Sequence, residues 1–249
     1  MNSEKIDIQM RLLSGQTMYV DSIPIKPFSL GEVSSIGYSV FQGNVNILLL
    51  TLDDMIDSIE DFELSGMLKA NKHQYKVFDM YVASPEMSDV LIDSLRMVFR
   101  TKDIFLEGDE VDDLRIVVDE KYHINRNNFD EIAKVVEVQN NPSFSGEEDD
   151  YNPANEVARS IAEKIRKGKE KVNKSKALES GGEGINLADM ISAVSAMSNS
   201  INKLNVWDLT IYQLYDEFAR LTKIDNYRLQ IQASMWSSDI EIEHWSEPI

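Results

Sequence analysis

Hydrophobic and polar residues alternate at the start of the chain. Single polar residues separate four apolar ones: Ile6, Ile8, Met10 and Leu12. A period of two is typical of a half-buried strand. A turn at Ser14–Gln16 and the extended pattern that resumes after it predict a β-hairpin over residues 5–25. Pro24 and Pro27 are expected to end it, because proline removes a donor from the strand ladder.

Beyond the hairpin the apolar spacing becomes helical. Ser29 can cap a helix, and Glu32 three residues later would complete a capping box. Residues 44–58 read as further helix after the interruption at a glycine. Ser84, followed by proline, predicts the start of a helix over residues 85–100, because proline is well tolerated at the first helical position.

Two short strands and one more helix complete this part of the chain. Residues 104–106 and 114–118 are the strands, and they flank an acidic turn. Asn127 or Asn128 is expected to cap a helix that runs to about Gln139. Helices outweigh strands here, so the pattern predicts a mainly α protein with an α+β N-terminal domain that contains a small β-hairpin and two short strands.

Changes in composition divide the chain further. Pro, Ser, Gly and acidic residues interrupt the apolar periodicity after residue 140, and eight basic residues against three acidic ones give residues 156–176 a net charge of +5. The predicted parts are an N-terminal α+β domain (1–140), an acidic linker (141–152), a basic amphipathic helix (153–176), a flexible joint (177–184) and a C-terminal three-helix module (185–249).

Charge narrows the classes of partner. The formal net charge of the chain is −18, which repels nucleic acid phosphates and anionic membranes. The longest apolar run, Ile47–Leu50, is far shorter than the roughly 20 residues of a membrane span. The N-terminus also lacks the basic and apolar segments of a signal peptide. We therefore expect a soluble cytoplasmic protein that binds neither nucleic acid nor membrane.

Residues for catalysis or metal binding are not clustered in the sequence. The three histidines, His73, His123 and His244, are far apart, and there is no cysteine. The acidic stretch 109–113 lacks the ligand spacing and central glycine of an EF-hand loop. The glycine-rich stretch 181–184 is not followed by the Lys-Ser/Thr of a phosphate-binding loop. The sequence thus predicts no catalytic, cofactor-binding or metal site, no small-molecule substrate and no enzymatic activity.

The last third of the chain is rich in aromatic residues. Asn186 and Asn205 are predicted N-caps. A helix over residues 206–221 would place six apolar side chains on one face: Trp207, Ile211, Leu214, Tyr215, Phe218 and Leu221. The following stretch, residues 224–235, fits either a helix or a strand, and the lack of β-branched residues favours the helix.

These aromatic side chains have two interpretations. Most would form the core of the C-terminal module, with Trp207 and Phe218 at its centre, while others would contact a partner helix. Both can hold, because a unit of about 60 residues is too small to bury every aromatic side chain. Tyr and Trp are enriched in interface hot spots. The candidate partner-binding residues are Tyr212, at the margin of the apolar face, with Tyr215, Trp236 and Trp245.

Three stretches of the second half of the chain carry a resemblance to a known family: Asn128–Asn140, the basic helix that starts at Asn152-Pro153, and, most strongly, Val206–Tyr215. Through them residues 128–249 resemble the tail assembly chaperones of tailed bacteriophages of Gram-positive hosts. This resemblance implies a late viral protein of the host cytoplasm that binds the tape-measure protein, keeps it soluble, helps to recruit tail-tube subunits and is absent from the mature virion.

Two other functions fit the same residues. One is a structural phage tail or connector component that is retained in the virion. The other is an acidic regulatory protein that binds a basic partner. Self-association is a further expectation, since residues 156–176 are basic in an otherwise acidic chain.

Overall fold

A computed structural model describes residues 3–108, 113–140, 185–234 and 244–246. The predicted acidic linker (141–152), basic helix (153–176) and flexible joint (177–184) lie outside the described residues, as does Trp236. Most of the acidic turn at 109–113 is also outside them.

The described residues are mainly helical, with two small antiparallel sheets, as the sequence predicts. The helices are α1 (Ser3–Leu13), α2 (Leu30–Ile36), α3 (Tyr38–Leu48), α4 (Leu52–Asp57), α5 (Phe62–Ala70), α6 (Val77–Val82), α7 (Pro85–Phe99), α8 (Phe129–Asn140), α9 (Leu187–Met197) and α10 (Ile211–Ser234). Short 3-10 turns span Lys72–Gln74 and Val206–Asp208. The strands are β1 (Met18–Val20), β2 (Ile23–Ile25), β3 (Ile104–Glu107), β4 (Arg115–Val118) and β5 (Tyr122–Ile124).

The predicted strand at the N-terminus is wrong, because residues 3–13 form helix α1. Alternation of apolar residues indicates a strand only where one side of it is buried. Here Ile8 is 40 % exposed and Met10 is 64 % exposed, whereas Leu12 is buried. The alternation therefore does not reflect burial, and the segment forms a helix that is anchored near its C-terminal end.

A small β-hairpin is present, as the sequence predicts, but its turn lies at Asp21 and Ser22 and not at the predicted Ser14–Gln16. β1 and β2 pair antiparallel, with Val20 opposite Ile23. Asp21 and Ser22 connect them with φ angles of 46° and 71°, the left-handed pair that matches the twist of a two-residue hairpin. Pro24 does not end the hairpin but lies inside β2. A two-stranded ribbon tolerates it because its outer edge needs no donor.

Helices with local start signals form as predicted. Ser29 and Glu32 make a reciprocal capping box at α2, and the Ser84 side chain accepts the N–H of Met87 at the start of α7. The helix expected over residues 44–58 is instead two helices, α3 and α4. Thr51 separates them, because its side chain caps α4.

β3, β4 and β5 form a meander in that spatial order. Its strands β3 and β4 confirm the two that the sequence predicts, and β5 is an additional strand. None of the helices in the described parts of the chain is both long and apolar enough to cross a membrane.

One hydrophobic core joins both ends of the described chain. Phe41, Leu95 and Ile132 belong to the same buried cluster as Val194 and Leu214. A backbone hydrogen bond also joins the N-terminal part to the region after residue 185: the N–H of Leu30 donates to the carbonyl of Leu209 at 2.8 Å. Residues 29 and 210 also form an isolated antiparallel bridge. The helices after residue 185 therefore pack against the N-terminal part, while the domain boundaries themselves stay a prediction.

Candidate protein-binding surface

The helix that carries most of the candidate residues, α10, begins at Ile211 and not near Val206. Thr210 and Gln213 form its cap: the Thr210 hydroxyl accepts the N–H of Gln213 at 3.2 Å, and the Gln213 amide oxygen accepts the N–H of Thr210 at 2.8 Å. Asn205, the predicted cap, instead accepts the N–H of Asn202. The Thr-x-x-Gln spacing of a capping box was the sequence signal that could have located this start.

The region after residue 185 therefore differs from the predicted three helices. Its described residues form α9, a 3-10 turn and α10. The stretch 224–235, where the sequence favours a helix, is helical through Ser234 and continues α10 without a break. One long helix thus replaces the last two predicted ones.

Trp207 lies in the 3-10 turn and is not a core residue. Its side chain is 39 % exposed, and its indole N–H donates to the carbonyl of Lys203 at 3.0 Å. The backbone of Trp207, and not its indole ring, lies close to Gly31 in α2. A Cβ added at Gly31 would come within 3.3 Å of the Trp207 carbonyl oxygen. The helical spacing that placed Trp207 in the core does not apply, because this residue precedes α10.

The inner face of α10 packs on the shared core. Ile211, Leu214 and Tyr215 are buried, and Phe218 and Leu221 pack against them. Burial raises the pKa of Tyr215 to about 12, because ionisation of a phenol is disfavoured away from water. Tyr215, a predicted partner-binding residue, thus lies in the core of this structure.

The outer face of α10 carries a different set of side chains. At about 100° per residue, Tyr212, Arg220 and Tyr227 project within roughly 80° of one another, on the side opposite Leu214 and Phe218. Tyr212 is half-buried. Partial burial, and then the negative charge of Asp216, raises its pKa. Sequence periodicity placed Tyr212 at the margin of the apolar face, and the structure places it on the outer side.

The C-terminal segment His244–Ser246 lies against this outer face. The His244 ring meets the Tyr227 ring edge-on at a centroid distance of 5.3 Å, and an Arg220 N–H donates to the Trp245 carbonyl at 2.8 Å. Trp245 remains 41 % exposed. Tyr212 and the Arg220 that holds Trp245 are eight residues apart, or about 12 Å along the helix.

We call this set (Tyr212, Arg220, Tyr227, His244 and Trp245) the outer aromatic surface. It includes Tyr212 and Trp245, two of the predicted site residues, and excludes Tyr215. Sequence reasoning missed Arg220, Tyr227 and His244, although the spacing of seven residues between Arg220 and Tyr227 placed both on one helix face. Half-exposed aromatic rings beside a guanidinium are suited to protein contacts, because Trp, Tyr and Arg dominate interface hot spots.

A separate cleft of about 530 Å³ lies between α2 and α7. Its main charged groups are already engaged with each other. Arg100 donates to both carboxylate oxygens of Glu32 and to the carbonyls of Lys26, Pro27 and Val98. The guanidinium also stacks 3.8 Å from the Phe28 ring centroid. Since these contacts use all five donors of Arg100, the arrangement is a structural clamp between the hairpin, α2 and α7.

Comparison with known proteins connects the C-terminal region to phages. Residues 173–249 match the family described as the YomV second domain. YomV is a gene of Bacillus phages and prophages, so the match suggests a phage-related protein. The matched range contains the whole outer aromatic surface. No curated protein and no solved structure matches the chain.

Proposed function

We propose that this protein is a non-enzymatic phage tail assembly chaperone that acts in the host cytoplasm. It binds the tape-measure protein, keeps it soluble and helps to recruit tail-tube subunits. Two sequence relationships support the proposal: the resemblance of residues 128–249 to tail assembly chaperones, and the phage-related match over residues 173–249.

The outer aromatic surface is the observation that carries the proposal. α10 buries one face in the core and carries Tyr212 and Arg220 on the other, where Arg220 donates to the carbonyl of the partly exposed Trp245. An amphipathic helix of a partner could lie along such a face and cover the rings. The net charge of −18 would keep the complex dispersed while the apolar partner is bound.

The test is co-expression with the tape-measure protein encoded by the same phage, followed by affinity capture and a binding titration. Tyr212→Ala and Trp245→Ala should each weaken capture by about 30-fold or more, which corresponds to a hot-spot loss of at least about 2 kcal/mol. Both side chains are partly exposed, so the melting temperature should change little.

Phe105→Ala is the matched control. Phe105 is 44 % exposed but lies on β3, within the three-stranded sheet. It should bind the tape-measure protein like the wild type. Full binding by both Tyr212→Ala and Trp245→Ala would rule out the outer aromatic surface as the contact.

Purified virions distinguish the proposal from a retained structural component. A chaperone leaves the particle during assembly, so mass spectrometry of virions should not detect it in stoichiometric amount. A fixed copy number for each particle would favour a structural tail or connector protein instead.

A further inference from the structure

Helix α5 exposes apolar residues that the rest of the fold does not use. Phe62 is 91 % exposed, Met67 is 66 % exposed and Leu64 is 46 % exposed. Ser65 is the single buried residue of this nine-residue helix. Clustered apolar residues at the surface mark interaction sites more often than isolated ones do.

Several polar contacts hold α5 in place. The Ser65 hydroxyl donates to the carbonyl of Ile56 at 3.2 Å, and the Asp61 carboxylate caps the helix by accepting the N–H groups of Glu63 and Leu64. The Lys69 ammonium lies 2.6 Å from the Asp57 carboxylate. The apolar side chains are therefore fixed on an ordered helix and not on a loose loop.

The space beside Phe62 is open. Gly66 lies one turn after Phe62, and a Cβ added at Gly66 would meet no atom within 4 Å. Phe62 and Met67 thus flank a position without a side chain, where another helix could approach closely. We call residues 52–72, with α4 and α5, the acidic apolar surface.

This surface is strongly acidic. Residues 52–72 contain two lysines and six acidic side chains, for a net charge of −4: Asp53, Asp54, Asp57, Glu60, Asp61 and Glu63. An apolar centre with an acidic border is suited to a basic amphipathic segment. Such a partner could cover Phe62 and Met67 while its cations approach the carboxylates.

We propose that the acidic apolar surface binds residues 156–176 of a second copy of this protein. That segment has a net charge of +5, and Val157, Ile161 and Ile165 recur in it at intervals of four residues. In a helix, an interval of four residues would place these apolar side chains on one face, which could cover the exposed apolar residues of α5. The charge of the segment is opposite in sign to that of the acidic apolar surface. A contact at this surface would cover Phe62, which is 91 % exposed among the described residues.

The pairing is head-to-tail, because the two contacting surfaces differ. Each copy offers one surface and one basic segment, so wild-type chains can add one after another unless the assembly closes into a ring. Attraction between opposite charges weakens as salt screens it. The average mass should therefore rise with protein concentration and fall with ionic strength.

Two variants of the full chain test the pairing by light scattering after size exclusion. The surface variant carries Phe62→Ser and Met67→Ser. The segment variant carries Lys167→Gln, Lys169→Gln, Lys171→Gln and Lys174→Gln, which lowers the charge of residues 156–176 to +1. Each variant alone should be monomeric, because it lacks one half of the contact. An equimolar mixture should give a dimer of defined mass, since only one productive contact is left.

Phe105→Ser is the control for loss of an exposed aromatic residue, and it should associate like the wild type. Circular dichroism melts check folding, which should be unaffected because Phe62 and Met67 are exposed. A monomeric wild type at every concentration, an associating surface variant, or a mixture that stays monomeric would each overturn the proposal. The experiment contains no tape-measure protein, so its failure would leave the proposed function intact.

Discussion

Replacement of one buried leucine in the N-terminal part should destabilise the C-terminal helices as well. Leu95 in α7 is fully buried and belongs to the same cluster as Leu214 in α10. Truncation of a buried leucine to alanine costs about 3–5 kcal/mol, through lost apolar burial and a residual cavity. If the shared core unfolds as one unit, Leu95→Ala reduces the stability of α10 by this same amount.

Urea unfolding followed by two probes measures the effect. All three tryptophans, Trp207, Trp236 and Trp245, lie after residue 185, so their fluorescence reports on the C-terminal region, while far-UV circular dichroism reports on all helices. With a slope of about 3 kcal/mol per molar urea, Leu95→Ala should lower both midpoints by about 1 M or more. Coincident transitions are the mark of a single cooperative unit.

Leu13→Ala is the matched control, because Leu13 is 45 % exposed at the end of α1. It should change the free energy of unfolding by no more than about 0.5 kcal/mol. A fluorescence midpoint that stays at the wild-type value in Leu95→Ala, while the circular dichroism transition shifts, would refute the reasoning. It would show that residues 185–249 form the separable module that the linker composition predicts.

Two further predictions concern the clamp and the 3-10 turn. The Arg100 hydrogen bond lowers the pKa of Glu32 to about 2, below its unfolded value of about 4.3. The ion pair thus stabilises the fold above about pH 4.3, and this stability is lost as the pH falls towards 2. Glu32→Gln should cost about 1–2 kcal/mol at pH 7, and its melting-temperature deficit should shrink between pH 4 and pH 2; a constant deficit would contradict the pair. Trp207→Ala should cost about 1–2 kcal/mol in urea unfolding, below the 3–5 kcal/mol of a buried aromatic residue; a larger loss would place the indole in the core.

Local chemistry explains which elements the sequence could predict. Ser29 with Glu32, and Ser84 before proline, specify helix starts through bonds within three residues. Both partners of each bond lie close together in the sequence, so a short window is enough to predict it. The alternation from Ile6 to Leu12 has no such local anchor. It indicates a strand only if another strand and a core lie beside it, and neither condition can be read from a window of eight residues.

The outer aromatic surface shows why a binding face is harder to predict than a core face. Tyr212 and Tyr215 are the same residue type three positions apart, and the sequence makes both candidates for partner binding. The structure separates them, because the Thr210 and Gln213 cap fixes where α10 begins and the shared core then selects the face that contains Tyr215. Trp245 reaches the other face through an Arg220 hydrogen bond across 25 residues, a contact that no periodicity encodes. A binding surface is thus defined by what the core leaves uncovered and by distant segments that return to it. We therefore expect Tyr212→Ala to weaken capture of the tape-measure protein with little change in melting temperature. Tyr215→Ala, which removes a buried ring, should instead lower the melting temperature.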